Sequence, residues 1–390
     1  MASIIMSRII SPALSPNTEP DDIWLALRLL LVPWMWQRGP ASGKVEAWFR
    51  KYLVTTCTVS FNSGRSALLG ILKAFGVGHG DEVIVQAFTC VAVPNSVRWA
   101  GAMPVYADIG GSYNLDPMDV EKKITKNTRA IIVQHTFGVP AKIKEIIFIA
   151  AKHNVIVIED CAHSLGTTGR LGDAAFFSFG RDKVVSSVFG GLATIRADHP
   201  KQISVLKAYH KKLTTPSVGW IFQQILHPVA FSIILPLYRL GVGKAILVIL
   251  QRLRLLSFPV YPEEKEGRQP NDFPAKYPNA LAILLLKQLK KLERFNKQRQ
   301  GISRMYGSDF SYLRFPRLVD NPKETIAKAK KHGILLGNWY HNVIDPSGVD
   351  FARAGYKKGS CPQAEETAKH IINLPTRISP REAQRVLAAL

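Results

Sequence analysis

The stretch Val155–Gly191 reads VIVIEDCAHSLGTTGRLGDAAFFSFGRDKVVSSVFGG. It opens with an apolar, β-branched run that suits a strand buried on both faces of a parallel sheet, and the run ends on Glu159 and Asp160. A second apolar run, AAFFSF, breaks into GRDK and sets Lys183 just past a strand end, beside Ser178. A carboxylate and a lysine at strand C-termini both face the crevice where open α/β sheets bind ligands. The Gly190-Gly191 pair then allows a close backbone turn.

Pyridoxal phosphate (PLP) chemistry needs such a set. A lysine bonds to the cofactor aldehyde, and an acid keeps the pyridine nitrogen protonated so that the ring can accept electrons. Lys183 and Asp160 suit those roles, Ser178 suits the phosphate, and His163 suits the ring face or its phenolic oxygen. Taken singly, each has a plainer explanation: Asp160 as a strand-end cap, Lys183 as a solvated loop charge, His163 as a core histidine.

Together, IEDCAHSLGT and GDAAFFSFGRDKVVSSVFGG resemble the DegT/DnrJ/StrS-type family of PLP-dependent sugar aminotransferases. That family carries an ED-x-A-(H/Q)-(S/A)-x-G strand end and an FSF-x-x-x-K-x-x-x-x-x-x-GG loop, and the second spacing matches residue for residue. The resemblance implies Asp160 on the pyridine nitrogen, His163 near the ring, Ser178 on the phosphate and Lys183 as the Schiff-base lysine. Phe189 stands where the family usually has Glu.

On the N-terminal side, CTVSF reads as a strand, and NSGRSALLGILKAFG as a turn feeding a helix. Ser63, Gly64 and Arg65 lie where free N–H groups and the helix dipole favour a phosphate. The family has a similar S-G-T-x-A-L turn, so Arg65 replaces a threonine and is expected to make a charge-assisted contact. GDEVIVQAFTCVAVPNSVRWAGAMPVYADI resembles a family stretch in which an aromatic stacks on the cofactor. That position is Cys90 here, and Phe88, two residues earlier, is the candidate replacement, while Thr89 and Asn95 match the family. HTFG, from His135 to Gly138, resembles another family strand end and suggests pocket-wall residues. CPQAEETAKHIINLPT resembles the family's C-P-x-A-E…L-P signature.

Leu206–Pro262 is apolar and basic at once. His227, Pro228, Pro236, Arg239 and Lys244 interrupt it before the ~18 apolar residues expected of a spanning helix. Two readings stay open: a helical hairpin packed on the body, or a basic amphipathic element on an anionic membrane, with residues 217–257 as the contact. After it, ALAILLLKQLKKLERFNKQRQGISRMY reads as one long amphipathic helix. The family's preceding N-Y-R-M turn reaches the partner subunit's cofactor; Pro274, Ala275, Lys276 and Tyr277 align with it, which puts Lys276 in the arginine position. Ser379–Glu382, SPRE, is a capping box with proline at the first helical position.

The 390 residues are enough for two domains. The expected architecture is α/β, the type I (aspartate aminotransferase-like) PLP fold: a large domain with a mostly parallel seven-stranded sheet and a smaller α+β C-terminal domain. The boundaries read as an N-terminal extension over 1–40, the PLP-binding domain over 41–204, the insertion over 205–265 and the small domain over 266–390. The formal net charge of +22 suggests an anionic partner, either a nucleotide-linked substrate or a membrane surface. No recognition motif supports nucleic acid. Cys57, Cys90, Cys161 and Cys361 are spread without a C-x-x-C pair, so no metal site or disulfide framework is indicated, and a reducing cytoplasm is the expected compartment. The start has no long apolar run or cleavage site of a signal peptide.

The resemblance implies a homodimeric transaminase that takes an amino group from a donor such as glutamate to a keto group of a nucleotide sugar for glycan synthesis. Two rivals are a pyridoxamine-dependent sugar dehydratase, in which histidine typically replaces the lysine, and a degenerate PLP-fold protein that binds a membrane.

Overall fold

The apolar runs become strands of one sheet in a computed structural model that describes residues 9–166 and 168–390. The first half contains helices α1 Pro20–Leu30, α2 Ala41–Leu53, α3 Gly64–Ala74, α4 Ala92–Ala100, α5 Pro117–Lys123 and α6 Ile143–Lys152. Its strands are β1 Thr58–Phe61, β2 Glu82–Gln86, the two-residue β3 Thr89–Cys90, β4 Met103–Ala107, β5 Thr128–Gln134, β6 Ile156–Asp160, β7 Ala174–Ser178 and β8 Gly191–Ile195. Helices α7 Pro200–Lys212, α8 Val218–Leu237, α9 Val242–Arg252, α10 Pro262–Lys265, α11 Asn279–Leu289 and α12 Leu292–Met305 follow. The chain ends with β9 Arg314–Leu318, α13 Pro322–Lys331, β10 Ile344–Asp345, α14 Pro362–His370, β11 Ile371–Pro375 and α15 Pro380–Ala388.

The sheet is seven-stranded and mostly parallel, as expected, in the order β1-β8-β7-β6-β5-β2-β4. Only β8 runs against its neighbours. Successive side chains alternate between two cores: Val83, Val85, Ala130, Ile132 and Ile158 enter one, Ile84, Ile131, Val133 and Val157 the other. Helices cover both faces, which is why these strands read as continuous apolar runs. The register sets Gln134 beside Asp160, and Ser178 beside Gly191, so several polar strand ends meet at one edge.

The C-terminal part pairs β9 with β11 antiparallel. Ile302, Ala329, Ile372, Leu374 and Val386 form its core. The chain returns to the sheet edge through β10, which pairs parallel with β3 and brings Asp345 beside Cys90.

The apolar insertion forms a helical hairpin. Pro228 and Pro236 lie inside α8 instead of ending it. With the following turn, Val218–Leu240 has a mean hydropathy of 1.5, long and apolar enough by length and composition to cross a membrane, yet half of that span is buried in the protein. Trp220, Ile221 and Ile225 share a core with Ala26 and Leu29 of α1 and with Leu281 and Leu285 of α11. Burial of such side chains contributes roughly 1.5–3 kcal/mol each. A Cβ on Gly243 would sit 2.2 Å from the Ile234 carbonyl oxygen, so glycine lets α9 fold back closely on α8.

The single long helix expected from Ala280 is two, α11 and α12, parted at Lys290 and Lys291. The break seats the Lys291 amine against Glu19, Asp21 and Asp22 of the N-terminal region. That acidic cluster outweighs the local preference for an unbroken helix.

Candidate active site

A cavity of about 530 Å³ opens at the C-terminal ends of β5, β6 and β7. Eight of the ten residues singled out from the sequence line it: Ser63, Gly64, Arg65, Cys90, Asp160, His163, Ser178 and Lys183. Phe88 and Lys276 are not among its walls.

Lys183 reaches the cavity from the loop after β7, and its amine has no hydrogen-bond or ion-pair partner among the described residues. Asn17 fixes this loop from outside, its Nδ2 donating to the carbonyls of Lys183 at 2.5 Å and Val184 at 3.2 Å. Arg299, fully buried, donates to Asn17 Oδ1 and to the Val184 carbonyl. Neither Asn17 nor Arg299 stood out in the sequence, because neither lies near the motif in the chain.

Asp160 is buried at the end of β6, and its Oδ1 accepts from the Ala162 N–H at 2.9 Å. Burial pushes its pKa up, partly offset by that N–H and by the Lys183 cation. A buried carboxyl of this kind gains from a cationic or proton-donating ligand. His163 Nδ1 accepts from the Phe137 N–H at 3.2 Å, so its proton is on Nε2, which faces the Tyr340 hydroxyl at 3.4 Å. Burial, then Lys183 and Arg314, hold its pKa well below the usual histidine range, so the ring is neutral.

At the other end, Ser63 caps α3 by accepting from the Ser66 N–H. Gly191 packs flat on this turn: a Cβ there would lie 2.3 Å from the Ser63 carbonyl oxygen. The N–H groups of Gly64 and Arg65 therefore open α3 at the cavity beside Ser178, which suits an oxyanion.

The expected contact of Arg65 with a phosphate is not what its guanidinium makes. It pairs with the buried Glu264, donates to the Pro259 carbonyl, and lies 4.8 Å from the Phe273 ring centroid. Phe88 does not supply an aromatic wall either. Its backbone, at φ 71°, turns the ring inward to Tyr113, Phe137 and Tyr340. Tyr340 and Trp339, from the C-terminal part, line the cavity instead. Lys276, expected at the partner subunit's cofactor and not in this cavity, donates to the Lys211 carbonyl. His135 is not a wall residue: it bonds Glu159, which also accepts the N–H groups of Gly169, Leu171 and Gly172. Asp182, next to Lys183, bonds the buried Arg314, whose guanidinium stacks 4.0 Å from the Trp339 ring.

Residues 19–213, half of the chain, match the sequence profile of the DegT/DnrJ/EryC1/StrS aminotransferase family. The chain is a member of this family. It is 35% identical over 191 residues to a GDP-perosamine synthase of Caulobacter vibrioides, covering 47% of this chain and 52% of that protein. It is 37% identical over 178 residues to a dTDP-3-amino-3,6-dideoxy-alpha-D-galactopyranose transaminase of Aneurinibacillus thermoaerophilus, covering 43% and 49%. The chain thus spans about half the length of these curated relatives. In fold the likeness runs through the whole chain: a putative sugar aminotransferase of Streptococcus pneumoniae in its PLP form superposes with a TM-score of 0.70 at 21% identity, covering 95% of this chain and 96% of that one. The architecture is therefore the type I PLP-transferase fold.

Where this member of the family departs from the motifs, the departures touch one another. Phe189 packs against Trp220 of α8 at 5.5 Å and against Phe273 at 6.0 Å. Arg65 lies over both Phe189 and Phe273 and pairs with Glu264, just after the hairpin. Asn95, as in the motif, ties its side chain to the Glu264 carbonyl at 2.7 Å.

Proposed function

We propose that the chain is a PLP-dependent aminotransferase that carries an amino group from an amino acid, such as glutamate, to a keto group of a nucleotide-linked sugar. The observation that carries this reading is the partner-free Lys183 amine in one cavity with the buried Asp160, which accepts a protein hydrogen bond on only one oxygen among the described residues. PLP supplies an aldehyde for the lysine and a ring that accepts electrons from the substrate carbon. The residues fit it. Asp160 Oδ2 would accept the ring N–H, which relieves the cost of burying the carboxylate. His163 Nε2–H, neutral and fixed by the Phe137 N–H, would donate at the ring's edge without adding charge. Lys183 Nζ, once free, would take the proton from the substrate's α-carbon and deliver it to the cofactor's former aldehyde carbon, a task that requires its neutral form. The α3 turn and Ser178 would hold the phosphate. The transaminase name of the Aneurinibacillus relative and the net charge of +22 support a nucleotide-linked substrate.

The test is chemical. After incubation with PLP and borohydride, peptide mass spectrometry is expected to find the cofactor's mass on Lys183, and none in Lys183→Ala. Label elsewhere, or none in the wild type, refutes the reading.

Two further proposals concern surroundings. We infer a homodimer, supported by the exposed apolar side chains of Trp24, Leu31, Trp34 and Met35 beside α1. We also infer a peripheral contact with anionic membrane through the hairpin's outer face. Ile233, Leu240, Val242, Ile249 and Leu253 are exposed there, alongside exposed Lys244, Arg252 and Arg254.

A further inference from the structure

The loop that carries Lys183 carries a second cation, Arg181, that the reaction outlined above does not use. Arg181 lines the cavity, and its guanidinium lies 5.6 Å from the Phe189 ring centroid. No carboxylate among the described residues pairs with it: neighbouring Asp182 pairs with Arg314, and Glu264 with Arg65. Its Nε has no hydrogen-bond partner among the described residues. His227, close enough to feel this cation, is kept neutral by burial and by Arg181 itself, and so brings no charge to the wall they share. A charge in such surroundings is costly unless something pairs with it.

The guanidinium is nonetheless held in place. Arg181 Nη2 donates to Ser257 Oγ at 2.5 Å, Ser257 Oγ donates to Gln224 Oε1 at 2.7 Å, and Gln224, fully buried on α8, donates to the Trp220 carbonyl. A continuous hydrogen-bonded chain runs from the hairpin to the cavity wall. On its other side, the Phe189 ring that flanks Arg181 also flanks Arg65, the second residue of α3, at 5.9 Å. Arg181 lines the same cavity as Ser63, Gly64 and Ser178, where the α3 dipole and its free N–H groups favour an oxyanion with several acceptors.

We propose that Arg181 is this cavity's phosphate receptor, acting with the first turn of α3 and Ser178, and that the α8–α9 hairpin holds it there through Gln224 and Ser257. The phosphate belongs either to the cofactor or to the diphosphate of a nucleotide-linked substrate. Only that choice of ligand rests on the proposed function; the anion site itself does not.

The experiment compares full-length wild type, Arg181→Gln and Arg181→Lys. Thermal unfolding in inorganic phosphate, against chloride at matched ionic strength, needs neither bound cofactor nor turnover, and so stands even if Lys183 takes up no PLP. Phosphate is expected to raise the melting temperature of the wild type and not of Arg181→Gln. In chloride, Arg181→Gln is expected to melt at or above the wild type, because an unpaired charge has been removed. Affinities for PLP, pyridoxal and inorganic pyrophosphate then separate the sources. A roughly 10- to 100-fold loss for PLP with pyridoxal unchanged assigns the cofactor phosphate; a like loss for pyrophosphate with PLP unchanged assigns the substrate diphosphate. Arg181→Lys, which keeps the charge and loses the planar fork, recovers part of either loss. Equal protection of wild type and Arg181→Gln by phosphate overturns the proposal. So does an Arg181→Gln protein that melts well below the wild type in chloride, or a variant that loses only glutamate binding.

Discussion

Gly191→Ala is the substitution whose cost follows most directly from the geometry. Gly191 opens β8 and pairs with Phe61 on β1 and with Ser178 on β7. A Cβ at this position would lie 2.3 Å from the Ser63 carbonyl oxygen, 2.4 Å from its carbon and 2.6 Å from the Gly64 nitrogen. Non-bonded heavy atoms are comfortable at about 3.5–4.0 Å, so something has to move by roughly 1 Å. All three opposing atoms are backbone, and no side-chain rotamer can relieve the contact. The strand is held on both edges, and the turn is tied down by the Ser63 cap on Ser66. Overpacking typically costs 1–3 kcal/mol, and a backbone-on-backbone clash belongs at the upper end, about 3 kcal/mol. Thermal and urea unfolding would read this loss. Gly301→Ala serves as the control: that glycine lies on the exposed side of α12, a Cβ added to it would meet nothing within 4 Å, and alanine there is expected to stabilise by up to about 1 kcal/mol. Because the displaced turn is the one that opens α3 at the cavity, Gly191→Ala should also weaken inorganic phosphate binding. A Gly191→Ala protein within about 0.5 kcal/mol of the wild type would refute the close-packed picture of this end of the site.

Asp160→Asn has an opposite signature. Burial raises the Asp160 pKa in the folded apoprotein, so the fold takes up a proton that the unfolded chain has already released, and the residue's contribution to stability falls as pH rises through that window. Urea unfolding at intervals from pH 4 to pH 8 is expected to show Asp160→Asn gaining on the wild type as pH rises while it binds PLP at least tenfold more weakly; a pH-independent difference would contradict this. For the hairpin, flotation with anionic vesicles is expected to be salt-sensitive and reduced by Lys244→Glu with Arg252→Glu, and sedimentation velocity is expected to give a dimer in solution. No flotation at low salt, or a monomer at micromolar concentration, would sink the respective proposal.

What could be read in the sequence was what depends on neighbours in the chain. The β6 and β7 runs, their polar ends and the glycine pair carry their meaning locally, so the cavity positions of Asp160, Ser178 and Lys183 follow from strand period and spacing. Phe88 was not legible in this way. Its N–H bonds to the carbonyl of Val343, a residue from the far end of the chain, and a left-handed φ buries its ring. The break at Lys290 depends on acids in α1 more than 260 residues away, the Lys291 to Asp22 separation being 269. Asn17 and Arg299, which hold the Lys183 loop, come from opposite ends of the chain, 282 residues apart.

The same reasoning changes how the family departures are understood. Taken along the sequence, arginine for threonine at Arg65, an apolar residue for glutamate at Phe189 and a long apolar insertion look like separate losses from a working site. In space they form one packed unit. Phe189 needs to be apolar because Trp220 of the insertion covers it. Arg65 is tolerable there because Glu264, delivered by the end of the insertion, neutralises it, and because Phe189 and Phe273 flank its guanidinium. Breaking that pair from either side would leave a charge among apolar groups, at a cost of about 3–5 kcal/mol for a buried pair, so neither change is stable without the other. With Arg65 committed to Glu264, its guanidinium is not offered to an anion at this end of the cavity, whereas Arg181, held by Ser257 and Gln224 from the same insertion, has no carboxylate partner among the described residues. The departures and the insertion thus exchange one arrangement of charge around the α3 turn for another, while Lys183, Asp160 and Ser178 keep their places around the same cavity.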